Sequence, residues 1–127
     1  MPFDRHLEID ANVVVFVAKG EICGQDYVVE TESMLATLPL PPPFHCLYDL
    51  RESTFVGDLH VLKKLASEIS RADWPRGQRV AQVVSSDADY GLVRMFSTLA
   101  TDGPVEYKLF LEIDEARAWV GLPPLDG

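Results

Sequence analysis

The sequence predicts an α/β domain built on a mixed five-stranded sheet with about four helices. Three observations predict it. RVAQVVSS (79–86) and VEYKLFLEI (105–113) are apolar, β-rich runs, and helical apolar spacing lies between and after them. Gly121, followed by Pro123 and Pro124, closes the second of those helical patterns. The run Val13 to Ala18 is continuously apolar rather than alternating, as in a strand buried on both faces. Alternation of strands and helices of this kind argues for a mostly parallel sheet.

The elements follow in order. HLEID and VVVFVAK, joined by Asp10-Ala11-Asn12, read as a hairpin. Gly20 and Gly24 flank EIC, which reads as the strand exit. From about Gly24 to Leu38 the spacing turns helical, through Tyr27, Val28, Thr31, Met34 or Leu35, and Leu38. Pro39 and Pro41 to Pro43 end that helix and hold an extended connector. FHCLYDL (44–50) is the third strand, and RESTFVG (51–57) reads as a loop. Asp58 is placed to cap a helix with the apolar face Leu59, Leu62, Leu65, Ala66 and Ile69. WPRGQ (74–78) is a loop. Ser86 and Asp89 have capping-box spacing ahead of a helix carrying Leu92, Phe96 and Leu99. Asp114 is placed to cap the last helix. The order is β-β-α-β-α-β-α-β-α. Trp119 shares a helix face with Ala116 and Val120 and is expected to pack on the sheet near Phe110.

The 127 residues form one domain, 1–127, large enough to bury a core without disulfides or metal. Eleven Lys and Arg against 20 Asp and Glu leave a net charge of −9. That field repels phosphate backbones and anionic lipids, so nucleic acid is not an expected partner and membrane contact is at most peripheral. MPFDRHLEID has no apolar core of a signal peptide, and the chain is expected in the cytoplasm. Cys23 and Cys46 are then expected reduced, with a disulfide between them as the alternative.

No Gly-x-Gly-x-x-Gly, Gly-x-x-x-x-Gly-Lys or Gly-x-Ser-x-Gly occurs. His6, His45 and His60 have no spacing with each other or with the cysteines that would suit a metal, so no metal site and no cofactor is expected. Ligands of open α/β sheets bind beyond the carboxyl ends of the strands. There the sequence puts Asp49, Arg51, Ser53 and Thr54, then Ser85, Ser86 and Asp87, with Tyr90 and Arg94 in the next helix. Capping explains Ser86 and Asp89, and a surface pair explains Asp49 and Arg51. No histidine joins Ser53 or Ser85, so a Ser-His-Asp arrangement fails and an enzyme is not expected.

Hydrophobicity is in surplus on two helices. Tyr27, Val28, Val29, Met34 and Leu35 on the first, and Tyr90, Val93 and Met95 beside Leu92, Phe96 and Leu99 on the third, exceed one narrow stripe. Such excess is either core or the wall of an interface or apolar cleft.

Gly20-Glu21-Ile22 and FHCLYDLRESTF, in this element order, resemble the STAS fold of anti-sigma-factor antagonists. VAQVVSSDADYGLVRMF and YKLFLEIDEARAWVG resemble the SpoIIAA-like family, with Tyr90-Gly91, Arg94-Met95, Phe110, Ala116 and Trp119 carrying the likeness from about His6 to Leu122. Antagonists carry, in the turn after the third strand, a serine that a partner kinase phosphorylates. Here Gly57-Asp58-Leu59 stands at that turn, so the resemblance implies the fold without the switch. It also implies likeness to lipid-transfer proteins of the CRAL–TRIO type, dimers, and an apolar ligand under movable helices. The expected function is a non-enzymatic, homodimeric module for a small apolar ligand or lipid, bordered by Tyr27, Val28, Met34, Tyr90, Val93, Arg94 and Met95. The alternative is a regulatory module that docks a protein partner through a loop of Arg51, Ser53, Thr54, Gly57 and Asp58.

Overall fold

The computed structural model describes residues 3–23, 25–26, 29–30, 33, 36, 44–56, 78–85 and 106–125. The strands are β1 (Phe3–Glu8), β2 (Val13–Cys23), β3 (His45–Val56), β4 (Arg79–Val83) and β5 (Glu106–Phe110). They form one mixed sheet in the order β1-β2-β3-β4-β5. β1 and β2 pair antiparallel, and every later neighbour pairs parallel. A turn of 3-10 helix, Ile9–Ala11, closes the hairpin, with Asn12 in the left-handed region at φ 58°. Asn suits that conformation better than most side chains. Gln25, Asp26, Val29, Glu30, Ser33 and Ala36 are helical, within the first expected helix. The expected helices over 58–71 and 88–100 lie outside the described residues.

The last helix, Ile113–Val120, ends on Gly121 at φ 94°, where Gly121 N–H meets Ala118 O and Leu122 N–H meets Arg117 O at 2.8 Å. Those two bonds satisfy carbonyls that the helix end would otherwise orphan, and a glycine takes that φ without strain. Asp114 does not cap this helix. Glu112 occupies the cap position without a side-chain bond, and Asp114 Oδ1 instead accepts the Leu125 N–H at 3.0 Å. With Arg117 Nε donating to Pro123 O, this holds the tail against the helix.

Alternation in parallel strands sorts the side chains onto two faces. Val13, Val15, Leu47, Ala81, Val83 and Phe110 form one face and pack under Ala116, Val120 and Leu122 of the C-terminal segment. The other, far face carries Phe3, Val14, Phe16, Cys46, Tyr48 and Val80, all buried. Phe16 stacks on Tyr48 with centroids 4.5 Å apart, and Phe3 meets both edge-on. Both faces of β2 are thus buried, as its uninterrupted apolar run requires. Among the described residues no helix is long and apolar enough to cross a membrane.

Trp119 packs against the sheet beside Phe110, as expected, but is not fully buried. It is half-buried, tilted on Phe110 at 5.8 Å, with the Arg79 guanidinium 5.2 Å above its ring. Trp119→Ala should therefore cost about 2 kcal/mol, short of the 3–5 of a fully buried tryptophan. A urea midpoint shift reads this, and a loss above about 4 kcal/mol would contradict the half-buried placement.

Candidate functional site

Residues 51–56, expected as a loop, are strand. β3 continues to Val56 because β2 continues to Cys23 and supplies a partner, Lys19 to Cys23 against Glu52 to Val56. The other strand pairings stop earlier: β1 reaches Ala18 of β2, and β4 reaches Asp49 of β3. The ends of β2 and β3 therefore project past their neighbours as a two-stranded ribbon at the carboxyl end of the sheet. Arg51, Ser53 and Thr54 belong to this ribbon, whereas Gly57 and Asp58 lie outside the described residues.

The ribbon starts at a bulge. Val17 pairs with Asp49 but Lys19 pairs with Glu52, so Ala18 alone faces Leu50 and Arg51. Bulges are rare between parallel strands and leave ladder groups unpaired. Polar side chains meet those groups. Asp49 Oδ1 accepts the Arg51 N–H at 3.2 Å and the Nε–H at 2.8 Å, while Oδ2 accepts Nη2 at 2.8 Å. The Ser53 hydroxyl donates to Leu50 O at 2.9 Å, and the Ser85 hydroxyl donates to Arg51 O at 3.0 Å. The hydrogen bonds that Arg51 donates to Asp49 hold its pKa further above the ordinary value, with Glu52 and Asp114 adding to the effect. Four members of the expected strand-end cluster, Asp49, Arg51, Ser53 and Ser85, are thus together, and their hydrogen bonds build the bulge.

Ser53 is buried and its hydroxyl is engaged with Leu50 O, whereas Thr54 is exposed. Tyr27, Val28 and Met34, like Tyr90, Val93, Arg94 and Met95, lie outside the described residues. No group of three His, Cys, Asp or Glu side chains placed to hold a metal occurs among the described residues. Neither cysteine is in a disulfide. Cys46 and Cys23 lie ten β3 positions apart, since Cys23 pairs with Val56, and that is about 30 Å of strand.

Two constellations escaped the sequence reading. At the amino end of the parallel strands, Arg79 N–H donates to His45 Nδ1 at 3.0 Å, and an Arg79 guanidinium N–H donates to Trp119 O at 3.0 Å. Lys108 stands 5.4 Å from the Phe110 ring. Burial first, then the charge of Arg79, lowers the pKa of His45. As pH falls below about 6.5, the unfolded chain takes up a proton here before the folded one does. Stability from this site is present above that pH and is lost as pH falls toward the lowered folded value. His45→Asn should flatten the fall of the urea midpoint between about pH 7 and pH 5. Equal slopes in the two proteins would refute the linkage.

On the far face, Gln78 is fully buried, and its Nε2 donates to Cys46 Sγ at 3.2 Å. Its Oε1 has no hydrogen-bond partner among the described residues. Tyr107, half-buried, shares a rung with Cys46 and Val80. The only sequence trace is a glutamine directly ahead of an apolar run, which reads as the end of a polar loop.

No protein-family description matches the chain, and no curated protein matches it. Among solved structures, it is similar to an uncharacterised protein of the DUF3478 family with a SpoIIAA-like fold from Shewanella loihica PV-4. The TM-score is 0.58 at 21% identity, over 93% of this chain and 91% of that one. The likeness extends over nearly the whole sheet-and-helix arrangement, and the chain has a SpoIIAA-like, STAS-like fold.

Proposed function

We propose that the chain is a non-enzymatic binding module that holds a small apolar ligand or a lipid tail, and that it works as a homodimer. The observation that carries this reading is the far face of the sheet, where Phe3, Phe16, Tyr48, Val14 and Val80 are buried together as one hydrocarbon and aromatic patch, which a ligand would reach only when that face opens. The strand-end polar groups, where a catalytic set would be sought, are taken up in supporting the bulge. In this reading Tyr27, Val28 and Met34, with Tyr90, Val93, Arg94 and Met95, supply the facing wall of the cleft. Val29, helical and 50% exposed, supports a helix face left for a second copy. Native mass spectrometry of the purified protein should show a dimer carrying a lipid-sized mass. A monomer by light scattering that also fails to bind a fluorescent fatty acid would sink the proposal.

A second reading is favoured by the ribbon, which projects Arg51, Glu52 and Thr54 to solvent. These residues would dock a regulatory protein partner without a phosphorylation switch. A stoichiometric partner recovered by wild-type protein and lost with Glu52→Lys is the result that would prefer it.

A further inference from the structure

We propose that the β5 edge of the sheet seats a second copy of this chain, whose own β5 pairs antiparallel with it across a two-fold axis at Tyr107. The inference rests on the homodimer of the proposed function and deepens it, placing the axis on this edge rather than on the helix face that carries Val29. β5 is the last strand of the sheet and has β4 as its one neighbour among the described residues. Glu106 N–H donates to Gln78 O, and Phe110 O accepts the Val84 N–H, so residues 106, 108 and 110 turn their backbone groups toward β4. Alternation then turns the N–H and C=O of Tyr107 and Leu109 outward, where no described strand meets them. An open edge of this kind pairs with another strand unless something blocks it. Asp114 and Arg117, which hold the C-terminal tail, lie on the flank of the last helix away from Trp119, the side chain that faces Phe110 and Lys108 of β5.

The side chains select the occupant. Val-Glu-Tyr-Lys-Leu (105–109) reads apolar, acidic, aromatic, basic, apolar, so it complements itself when reversed about Tyr107. With the axis there, the two copies of Tyr107 exchange both backbone hydrogen bonds, and Glu106 stands opposite the partner's Lys108 on the next rung, twice over. That rung is of the kind without hydrogen bonds, which brings side chains closest together, and opposite charges on it stabilise the pair. Both groups are free to meet. The Glu106 side chain is 67% exposed, with Arg79 at 3.7 Å. Lys108 is exposed beside the Phe110 and Trp119 rings, and no acid lies in ion-pair range of it among the described residues. A lysine ordinarily keeps an edge from pairing, but here a glutamate two positions before it gives it a counter-charge in a second copy. An axis at Glu106 or Lys108 would set like charges directly opposite, and one at Leu109 would set Lys108 against Phe110. On the other face the half-buried Tyr107 rings meet across the axis as an aromatic pair.

The test is light scattering on the full-length protein across a dilution series. Glu106→Lys and Lys108→Glu each place like charges on both outer rungs, and both positions are exposed, so neither substitution threatens the fold. Each variant alone should dissociate at a concentration about tenfold or more above that of the wild-type dimer. Mixed in equal amounts, the two variants complement each other on both rungs and should recover a dimer of wild-type affinity. A wild-type dimer whose two variants remain equally dimeric overturns this inference and leaves the homodimer reading standing. Variants that come apart alone but do not combine when mixed also overturn it, since the charges would then not face each other. A monomeric wild type overturns the inference and the homodimer together.

Discussion

Phe16→Ala should cost about 3–5 kcal/mol, the largest loss expected from a single truncation in this chain. Phe16 is fully buried, stacked at 7° on Tyr48 and met edge-on by Phe3. The substitution removes the buried area and the ring–ring interaction together, and the latter is worth about 0.5–1.5 kcal/mol beyond area. Tyr48 and Phe16 lie on neighbouring strands in fixed register, so the remaining ring cannot move in to fill the space. Domains of this size are stable by about 5–15 kcal/mol, so the variant should keep little of its margin. The measurement is the urea midpoint at unchanged slope. A loss below about 1 kcal/mol would mean that the far face repacks freely.

Leu47→Ala tests the opposite face and should cost about 3–4 kcal/mol, in the upper part of the range for leucine truncation. Leu47 is fully buried on the rung Val15-Leu47-Ala81, in the cluster that includes Ala116 and Val120. Its cost depends on how far the site can collapse. Ala81 and Ala116 have no side-chain length with which to fill the hole, and β2 and β4 hold β3 in place from both sides. The C-terminal helix should loosen with it, so near-ultraviolet dichroism from Trp119 should weaken before the strands melt. A stability loss under about 1.5 kcal/mol would show that the helix settles into the cavity.

The two truncations ask whether the sheet is held equally from both sides, and that symmetry was legible in β2 alone. Val13 to Ala18 is apolar at consecutive positions, which a strand with one wet face cannot sustain. The hairpin, the strand runs and the glycine stop at Gly121 were equally local signals. Each depends on periodicity or backbone conformation within a few residues, so sequence inspection reads them directly.

The ribbon and its bulge depend on distant pairings. RESTFVG has the polar, β-poor start of a loop, yet residues 51–56 of it are strand, because β2 runs on to Cys23 and offers them hydrogen bonds. The Arg51 carbonyl left by the bulge is met by Ser85, and nothing near residue 51 in sequence announces that partner. Asp114 has the right type and place for a cap, but the returning tail takes its carboxylate. Gln78 reads as loop-end polar, yet it is fully buried against Cys46. The sequence by itself determined the α/β class, the five strands and the doubly buried β2, since these follow from the spacing of apolar residues. Only the tertiary structure decided where β3 ends, which polar groups are consumed in building the bulge and which residue from the polar loop end is buried against Cys46. Those depend on register and burial, which are set by residues some 30 positions away in the chain.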